Sequence, residues 1–275
     1  MIYFPNAKIN LGLRISGRRV DGFHEIKSLF LPVGWCDELE VVVNSEGEKG
    51  KLNFSMQGLN VEGDFKSNLV VRAHALLKRD FELPEISASL LKNIPSGAGL
   101  GGGSSDGSFM LKAINEQCGL KLGKIELGKY AAELGSDCPF FIINDPSRVS
   151  GRGEEIEVLE VGDNLKNLDI LIVHPGVKVS TEEAFGLIIL NESQLDFNYE
   201  DLNTLSNDFQ KSISQKFPEV KEAIDFIESK GAHYTQMTGS GSAVFGLFEK
   251  GKAEDLKLVE QAEKKGWSAY FGALL

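Results

Sequence analysis

The chain has 275 residues, 42% of them hydrophobic and 25% charged, with a formal net charge of -11 at pH 7. That length supports one large domain or two ordinary ones, each with a full core, and the composition is globular with no bias toward disorder. The acidic balance argues against a general nucleic-acid surface, which needs clustered lysine and arginine, and leaves a polyanionic small ligand possible only through local donors.

Residues 1–5 contain no cationic segment followed by an apolar core, so no signal peptide is expected. Residues 7–15 alternate, with Ile9, Leu11, Leu13 and Ile15 on one face and Lys8, Asn10, Gly12 and Arg14 on the other. This predicts a half-buried strand whose second face is either solvated or a row of hydrogen-bond donors. Residues 17–25 read as a turn-rich loop that displays Phe23 beside His24, and loops held by a rigid strand are common binding elements. A second alternating strand is predicted over 37–43, followed by a polar, glycine-punctuated hairpin region over 44–61. Ser67 or Asn68 caps a helix that carries Leu69, Ala73, Leu76 and Leu77 at helical spacing. A strand over 86–91 then leads to residues 95–107, Pro-Ser-Gly-Ala-Gly-Leu-Gly-Gly-Gly-Ser-Ser-Asp-Gly, and a helix follows with Phe109, Met110, Ala113, Ile114 and Cys118 on one face.

A helix over 124–134 ends at Gly135, after which Ser136 and Asp137 read as an N-cap ahead of Pro139. Further strands are expected over 154–161 and 168–173, and Ser180 caps a short helix that reaches past Phe185. Helices over 201–217 and 218–230 precede a strand at 233–237, a turn at 238–242 and a strand at 243–248. An amphipathic helix over 252–265 and a last strand over 267–271 complete the pattern. Strands that return through helices without strict βαβ alternation predict an α+β chain of two domains, 1–160 and 161–275. The longest apolar runs, 140–143 and 168–173, are too short to span a bilayer. Cys36, Cys118 and Cys138 are far apart and odd in number, which points away from disulfides and zinc and toward a reducing, cytoplasmic compartment.

The glycines of residues 95–107 allow sharp turning and close backbone approach, and the segment hands over to a helix N-terminus, where amides and dipole favour a polyphosphate. A formal Gly-x-Gly-x-x-Gly at Gly97, Gly99 and Gly102 raises a dinucleotide-binding oxidoreductase. Pro95, the mid-chain position and the continuation into Gly103-Ser104-Ser105-Asp106 count against it. No Gly-Lys-Ser or Gly-Lys-Thr marks a P-loop in this stretch, and neither His-Arg-Asp nor Asp-Phe-Gly marks a protein kinase.

Residues 95–106 resemble the second motif of the GHMP kinase superfamily, and residues 237–243, Met-Thr-Gly-Ser-Gly-Ser-Ala, resemble its third. Residues 5–11, 21–24 and 134–141 narrow the resemblance to the branch that acts on a cytidylyl sugar-alcohol diphosphate. The resemblance implies a ribosomal-protein-S5-domain-2-like N-terminal domain that binds nucleotide and a ferredoxin-like C-terminal domain that completes the substrate site. It implies transfer of the ATP γ-phosphoryl group, with Mg²⁺, to the 2-hydroxyl of 4-diphosphocytidyl-2-C-methyl-D-erythritol in non-mevalonate isoprenoid synthesis. In that branch Asp137 takes the position of the catalytic base and Lys8 that of its cationic neighbour. Asn68 and Leu69 correspond to adenine-side contacts, and Lys92 to a residue that reaches the nucleotide. Pro95, Gly97, Gly99, Gly101, Gly102, Gly103, Ser104 and Ser105 correspond to the phosphate cradle. Asn10, Phe23, His24, Asp137, Phe185, Gly239 and Ser240 correspond to contacts with the cytidylyl substrate, with Phe23 and Phe185 placed to sandwich cytosine and His24 to bond its edge.

Two positions depart from the branch: Phe23 stands where tyrosine is usual and Gly107 where alanine is common. Phe23 still stacks but lacks the phenolic hydroxyl. No metal ligand is identifiable, and the implied partners are small molecules, with no nucleic acid or membrane and a monomer or weak homodimer as the unit. A kinase of another small alcohol, such as mevalonate or homoserine, and a catalytically silent nucleotide sensor are the competing readings. The Phe23–His24–Phe185 set argues against the first, and the presence of Asp137 and Lys8 against the second.

Overall fold

The computed structural model describes residues 1–18, 22, 24–61, 63–160, 162, 165, 167–188, 201–251 and 255–275. Among them the strands are β1 (Ile2–Tyr3), β2 (Asn6–Arg18), β3 (His24–Cys36), β4 (Glu38–Asn44), β5 (Leu52–Gly58), β6 (Glu85–Lys92), β7 (Ser147–Ser150), β8 (Glu155–Val158), β9 (Leu168–His174), β10 (Tyr234–Met237), β11 (Val244–Glu249) and β12 (Ser268–Ala273). The helices are α1 (Leu69–Asp80), α2 (Gly102–Gln117), α3 (Lys124–Leu134), α4 (Cys138–Ile143), α5 (Thr181–Leu187), α6 (Gln210–Lys216), α7 (Pro218–Ser229) and α8 (Asp255–Glu263). No helix among the described residues is long and apolar enough to cross a membrane. The chain divides into two units, one of residues 1–7, 35–96 and 101–144 and the other of residues 8–34, 97–100 and 145–275.

In the first unit a sheet of order β1-β4-β6-β5 lies under helices. The alternation in β4 works as predicted: Leu39 and Val41 are buried while Glu38 and Glu40 face out. Leu39, Val41, Ile86 and Leu90 pack with Val70 and Leu77 of α1, Met110 and Ile114 of α2, and Leu127 and Leu134 of α3. Each such side chain contributes about 1.5–3 kcal/mol by leaving water. The expected hairpin over 44–61 does not form. Strand β5 instead pairs in parallel with β6, so the chain must cross over through α1 before returning to the sheet. Helix α1 starts at its predicted cap, where Asn68 accepts a bond from the Val70 amide at 2.9 Å.

The second unit holds a fully antiparallel sheet, β10-β11-β9-β12, and the sheet β2-β3-β7-β8. Leu171, Val173, Val244 and Phe248 pack against Ile213 of α6, Val220 and Ile227 of α7, and Leu258 of α8. Strand β2 is buried on both faces from Asn6 to Leu13 rather than half-buried, with Lys8 only 3% and Asn10 only 1% exposed. Strand β3, unforeseen in the sequence, is likewise buried on consecutive positions from Leu29 to Val33, which erases the period-2 signature. The expected helix over 201–217 is a 3-10 turn at Leu202–Thr204 followed by the short α6. Asn207 interrupts it: its Oδ1 accepts from the Phe209 amide at 2.9 Å, while its Nδ2 donates to Met237 O and Gly239 O. A side chain that satisfies local backbone in this way competes with helix formation.

Candidate active site

The glycine segment joins β6 to α2 as expected, and its backbone is shaped by glycine at alternate positions. Gly97, Gly99 and Gly101 have φ of 66°, 78° and 71°, a region that side-chain-bearing residues rarely adopt. Alternating conformations of this kind turn successive amides to one side, a geometry suited to anions. Helix α2 begins two residues before Ser104, and its cap, Gly101, offers no side-chain acceptor. The first amides of this 16-residue helix therefore point outward with the positive end of the dipole behind them.

Beside the helix start, the first unit contains a cavity of about 180 Å³. It brings together four of the expected nucleotide residues, Asn68, Leu69, Lys92 and Gly103. Phe54 and Phe65, which the sequence did not single out, form its aromatic wall with ring centroids 5.0 Å apart. The Asn68 carboxamide oxygen is occupied as the α1 cap, so its amide nitrogen is the group with donor capacity to offer a ligand. Lys92 is 3% exposed and donates to both Asp37 Oδ2 and, at 2.7 Å, Asp106 Oδ2. Burial works to lower the Lys92 ammonium, but the Asp106 and Asp37 charges outweigh it and hold it above the ordinary lysine value. Burial pushes the Asp106 carboxyl up to about 8, with Lys92 opposing the shift and Asp37 reinforcing it. In the sequence Asp37 reads only as the start of a strand and Asp106 only as part of the glycine motif, so neither signals this cluster.

Asp137 caps α4 by position, yet its side chain makes no capping hydrogen bond. The helix it heads is anchored from below, where the Ser108 hydroxyl lies 2.8 Å from both Ser104 O and Cys138 O. Cys138 is buried, and that pushes its thiol up to about 11, so it is no nucleophile at neutral pH.

In the second unit, Lys8 Nζ donates to Asn10 Oδ1 at 2.5 Å and sits 4.6 Å from the centre of the Phe30 ring. Asn10 Nδ2 donates to Ser28 Oγ at 3.0 Å, and the Ser28 hydroxyl in turn donates to Gly12 O at 2.6 Å. The polar face of β2 is thus a buried, directed network, which decides between the two readings that its alternation allowed. Thr238 Oγ1 lies 3.3 Å from Gly99 O, and the Ala243 amide donates to Ala98 O at 3.1 Å, so the third glycine motif packs on residues 97–100. Gly239 is also there: a side chain on it would meet Gly99 Cα and O at 3.0 Å. Ser240 Oγ faces Thr181 Oγ1 at 3.4 Å. His24 stacks on Phe185 with ring centroids 4.3 Å apart and planes 13° from parallel, and Phe209 abuts Phe185 edge-on. Phe23 lies outside the described residues. Among the described residues no three acidic, histidine or cysteine side chains cluster as a metal cage.

Residues 68–144 match the GHMP kinases N terminal domain, and residues 190–267 match GHMP kinases C terminal. The chain is 42% identical over 262 residues to the 4-diphosphocytidyl-2-C-methyl-D-erythritol kinase of Bacteroides fragilis (strain YCH46), covering 90% of this chain and 92% of that one. It is 43% identical over 258 residues to the protein of the same name from Azobacteroides pseudotrichonymphae genomovar. CFP2, covering 91% and 94%. A crystal structure of 4-(cytidine 5'-diphospho)-2C-methyl-D-erythritol kinase superposes with a TM-score of 0.84 at 30% identity, covering 100% of this chain and 99% of that chain. The homoserine kinase of Cytophaga hutchinsonii ATCC 33406 shares the fold, with a TM-score of 0.73 at 18% identity over 99% of this chain and 94% of that one.

Proposed function

The chain belongs to the 4-diphosphocytidyl-2-C-methyl-D-erythritol kinases of the GHMP kinase superfamily, and from that premise we propose how its residues divide the work of phosphoryl transfer. It is a small-molecule kinase that moves the γ-phosphoryl group of ATP to the 2-hydroxyl of 4-diphosphocytidyl-2-C-methyl-D-erythritol, a step toward isoprenoid precursors. The observation that carries the nucleotide half is the outward-facing start of α2, preceded by left-handed glycines and flanked by the cavity at Asn68, Leu69 and Lys92. Such an arrangement suits a triphosphate on the amides of Gly101, Gly102, Gly103 and Ser104, with the Ser105 amide already donating to Gly101 O at 2.9 Å, and a purine against Phe54, Phe65 and Leu69.

In the reaction the 2-hydroxyl oxygen attacks the γ-phosphorus, the bond to the β-phosphate oxygen breaks and ADP leaves. Asp137 takes the hydroxyl proton, a role supported by its place in the family motif and by a carboxylate at the start of α4. Lys8 supplies positive charge against the developing negative charge, and its bond to Asn10 together with the Phe30 ring holds that charge in one place. Asn10 contacts the sugar alcohol or its diphosphate, and the Gly239–Ser240 turn borders the diphosphate. Phe185, His24 and Phe23 hold the cytosine; His24 is stacked on one face of Phe185, so the base reaches that face only by taking the place of the imidazole. Mg²⁺ bound with the nucleotide would neutralise charge on the triphosphate, as this type of reaction requires. Cys36, Cys118 and Cys138 form no disulfide with one another, in keeping with a cytoplasmic compartment, and we take a monomer or weak homodimer as the unit.

The test is ATP consumption by the purified protein with 4-diphosphocytidyl-2-C-methyl-D-erythritol, mevalonate and homoserine in parallel. Turnover confined to the cytidylyl compound supports the reading. Turnover of either other alcohol at a comparable rate would overturn it.

A further inference from the structure

We propose that Asp37 is a positioning residue of the nucleotide site, a single carboxylate that fixes the residues on both sides of the glycine loop. On the entry side, Asp37 Oδ1 accepts the backbone amides of Asn93 at 2.6 Å and Ile94 at 2.8 Å, immediately before Pro95. On the exit side, Asp37 Oδ2 accepts from Lys92 Nζ, and the same ammonium donates at 2.7 Å to Asp106 in the first turns of α2. Asp37 is fully buried, Lys92 and Asp106 are 3% exposed, and Lys92 and Asp106 both line the cavity. The helix start sits tightly on this cluster: a Cβ on Gly102 would lie 3.0 Å from Ile94 Cγ2 and 3.4 Å from Lys92 Nζ.

The physical reason for such a clamp lies in the loop itself. Glycine loses more backbone freedom on ordering than any other residue, so a loop this rich in glycine binds phosphate poorly unless its ends are already held. Fixing both ends in advance lowers the ordering cost at the moment of binding. Buried charge also explains why three ionisable side chains are kept here in place of apolar ones, since a hydrocarbon cluster would offer no directional bonds to the Asn93 and Ile94 amides. The charged groups that face Asp106 are Lys92 of β6 and Asp37 just before β4. Ionisation of Asp106 leaves the cluster with net negative charge beside the triphosphate, and this weakens ATP binding.

The inference rests on the reading that the loop binds ATP, and steady-state kinetics of Asp37→Asn and Asp106→Asn separate the two. In Asp37→Asn the KM for ATP should rise about tenfold, as for loss of one charge-assisted bond, while kcat and the KM for the cytidylyl substrate stay within about twofold. In the wild type the ATP KM should climb as pH passes about 8. Removing the like charge of Asp37 should move that inflection to lower pH, and Asp106→Asn should abolish it. A purely structural role would raise both KM values together and leave the inflection where it is, and either result would overturn the proposal. If Asp37→Asn does not fold, the isosteric Asp106→Asn decides alone: a pH profile parallel to the wild type sinks the proposal. Absence of wild-type turnover would instead defeat the underlying kinase reading.

Discussion

The backbone N–H of Asn10 donates to Thr238 Oγ1 at 2.9 Å, a bond between residues 228 positions apart in the chain. The hydroxyl proton of Thr238 has two acceptors at 3.3 Å, Asn10 Oδ1 and Gly99 O. One buried hydroxyl therefore ties the strand that carries Lys8 to the middle of the glycine segment. Thr238→Val keeps the shape but leaves the Asn10 amide buried without an acceptor. It should cost about 1–3 kcal/mol of stability and at least about tenfold in kcat/KM. Thr238→Ser should stay within about threefold, because it retains the bond and loses only a methyl group. Urea denaturation and steady-state rates measure both, and equal losses in the two variants would remove the hydroxyl from the account.

Asp137→Asn preserves the size of the side chain at the start of α4 but removes its capacity to take a proton. Turnover should fall by about 10²- to 10⁴-fold, the usual contribution of a positioned general base. ATP affinity measured by calorimetry should be unchanged, and turnover near the wild-type rate would exclude the assigned role.

The stacked pair of His24 and Phe185 leads to a split between the two substrates. Phe185→Ala removes a ring surface worth about 0.5–1.5 kcal/mol per aromatic partner. The KM for the cytidylyl substrate should rise several-fold more than that for ATP. Equal changes in both would mean that Phe185 acts through the packing of Phe209 and not through the base.

Much of this architecture is legible in local pattern, and the exceptions have physical causes. Helix α3 ends where Gly135 predicts, and Asn68 and Ser180 cap α1 and α5 because short polar side chains can reach the first free amides. Strand β3 escaped because full burial on both faces removes alternation, and β7 because four residues are too few to show a period. The parallel pairing of β5 with β6 depends on a crossover, which no window of neighbouring residues encodes. In the site, glycines, Lys8 and Asp137 stand out through motif phrases, whereas Asp37 does not. Its partners Lys92 and Asp106 lie 55 and 69 positions along the chain, and only folding brings the three together.

Two glycines of the loop should respond differently to the same substitution. At Gly99 a Cβ would lie 2.2 Å from Thr238 O, and backbone cannot move aside as a flexible side chain can. At Gly97 nothing lies within 4 Å, so alanine there meets only the cost of a positive φ of 66°, about 1–2 kcal/mol. Gly99→Ala should therefore lower the melting temperature clearly more than Gly97→Ala. Equal shifts would show that the close approach of Thr238 to the loop is not a constraint in solution.

The pH dependence of stability should carry two opposing contributions from buried groups. Burial, aided by the nearby Lys78, lowers His74 from 6.5 to about 4. Its contribution is thus fully present above pH 6.5 and is lost as pH falls through about 4. Asp106 behaves in the opposite sense, because its folded value is raised from 3.8 to about 8. The stability linked to its protonated form is fully present below pH 3.8 and drains away as pH rises through about 8. Asp106→Asn should accordingly flatten the alkaline limb of a melting-temperature profile taken from pH 4 to 9, and leave the acid limb in place. His74→Leu should do the reverse, since leucine fills the buried position without the Nε2 atom that lacks a hydrogen-bond partner. Parallel profiles for the wild type and Asp106→Asn above pH 7 would show that the carboxyl ionises normally and that the Lys92 cluster is more hydrated than its burial implies.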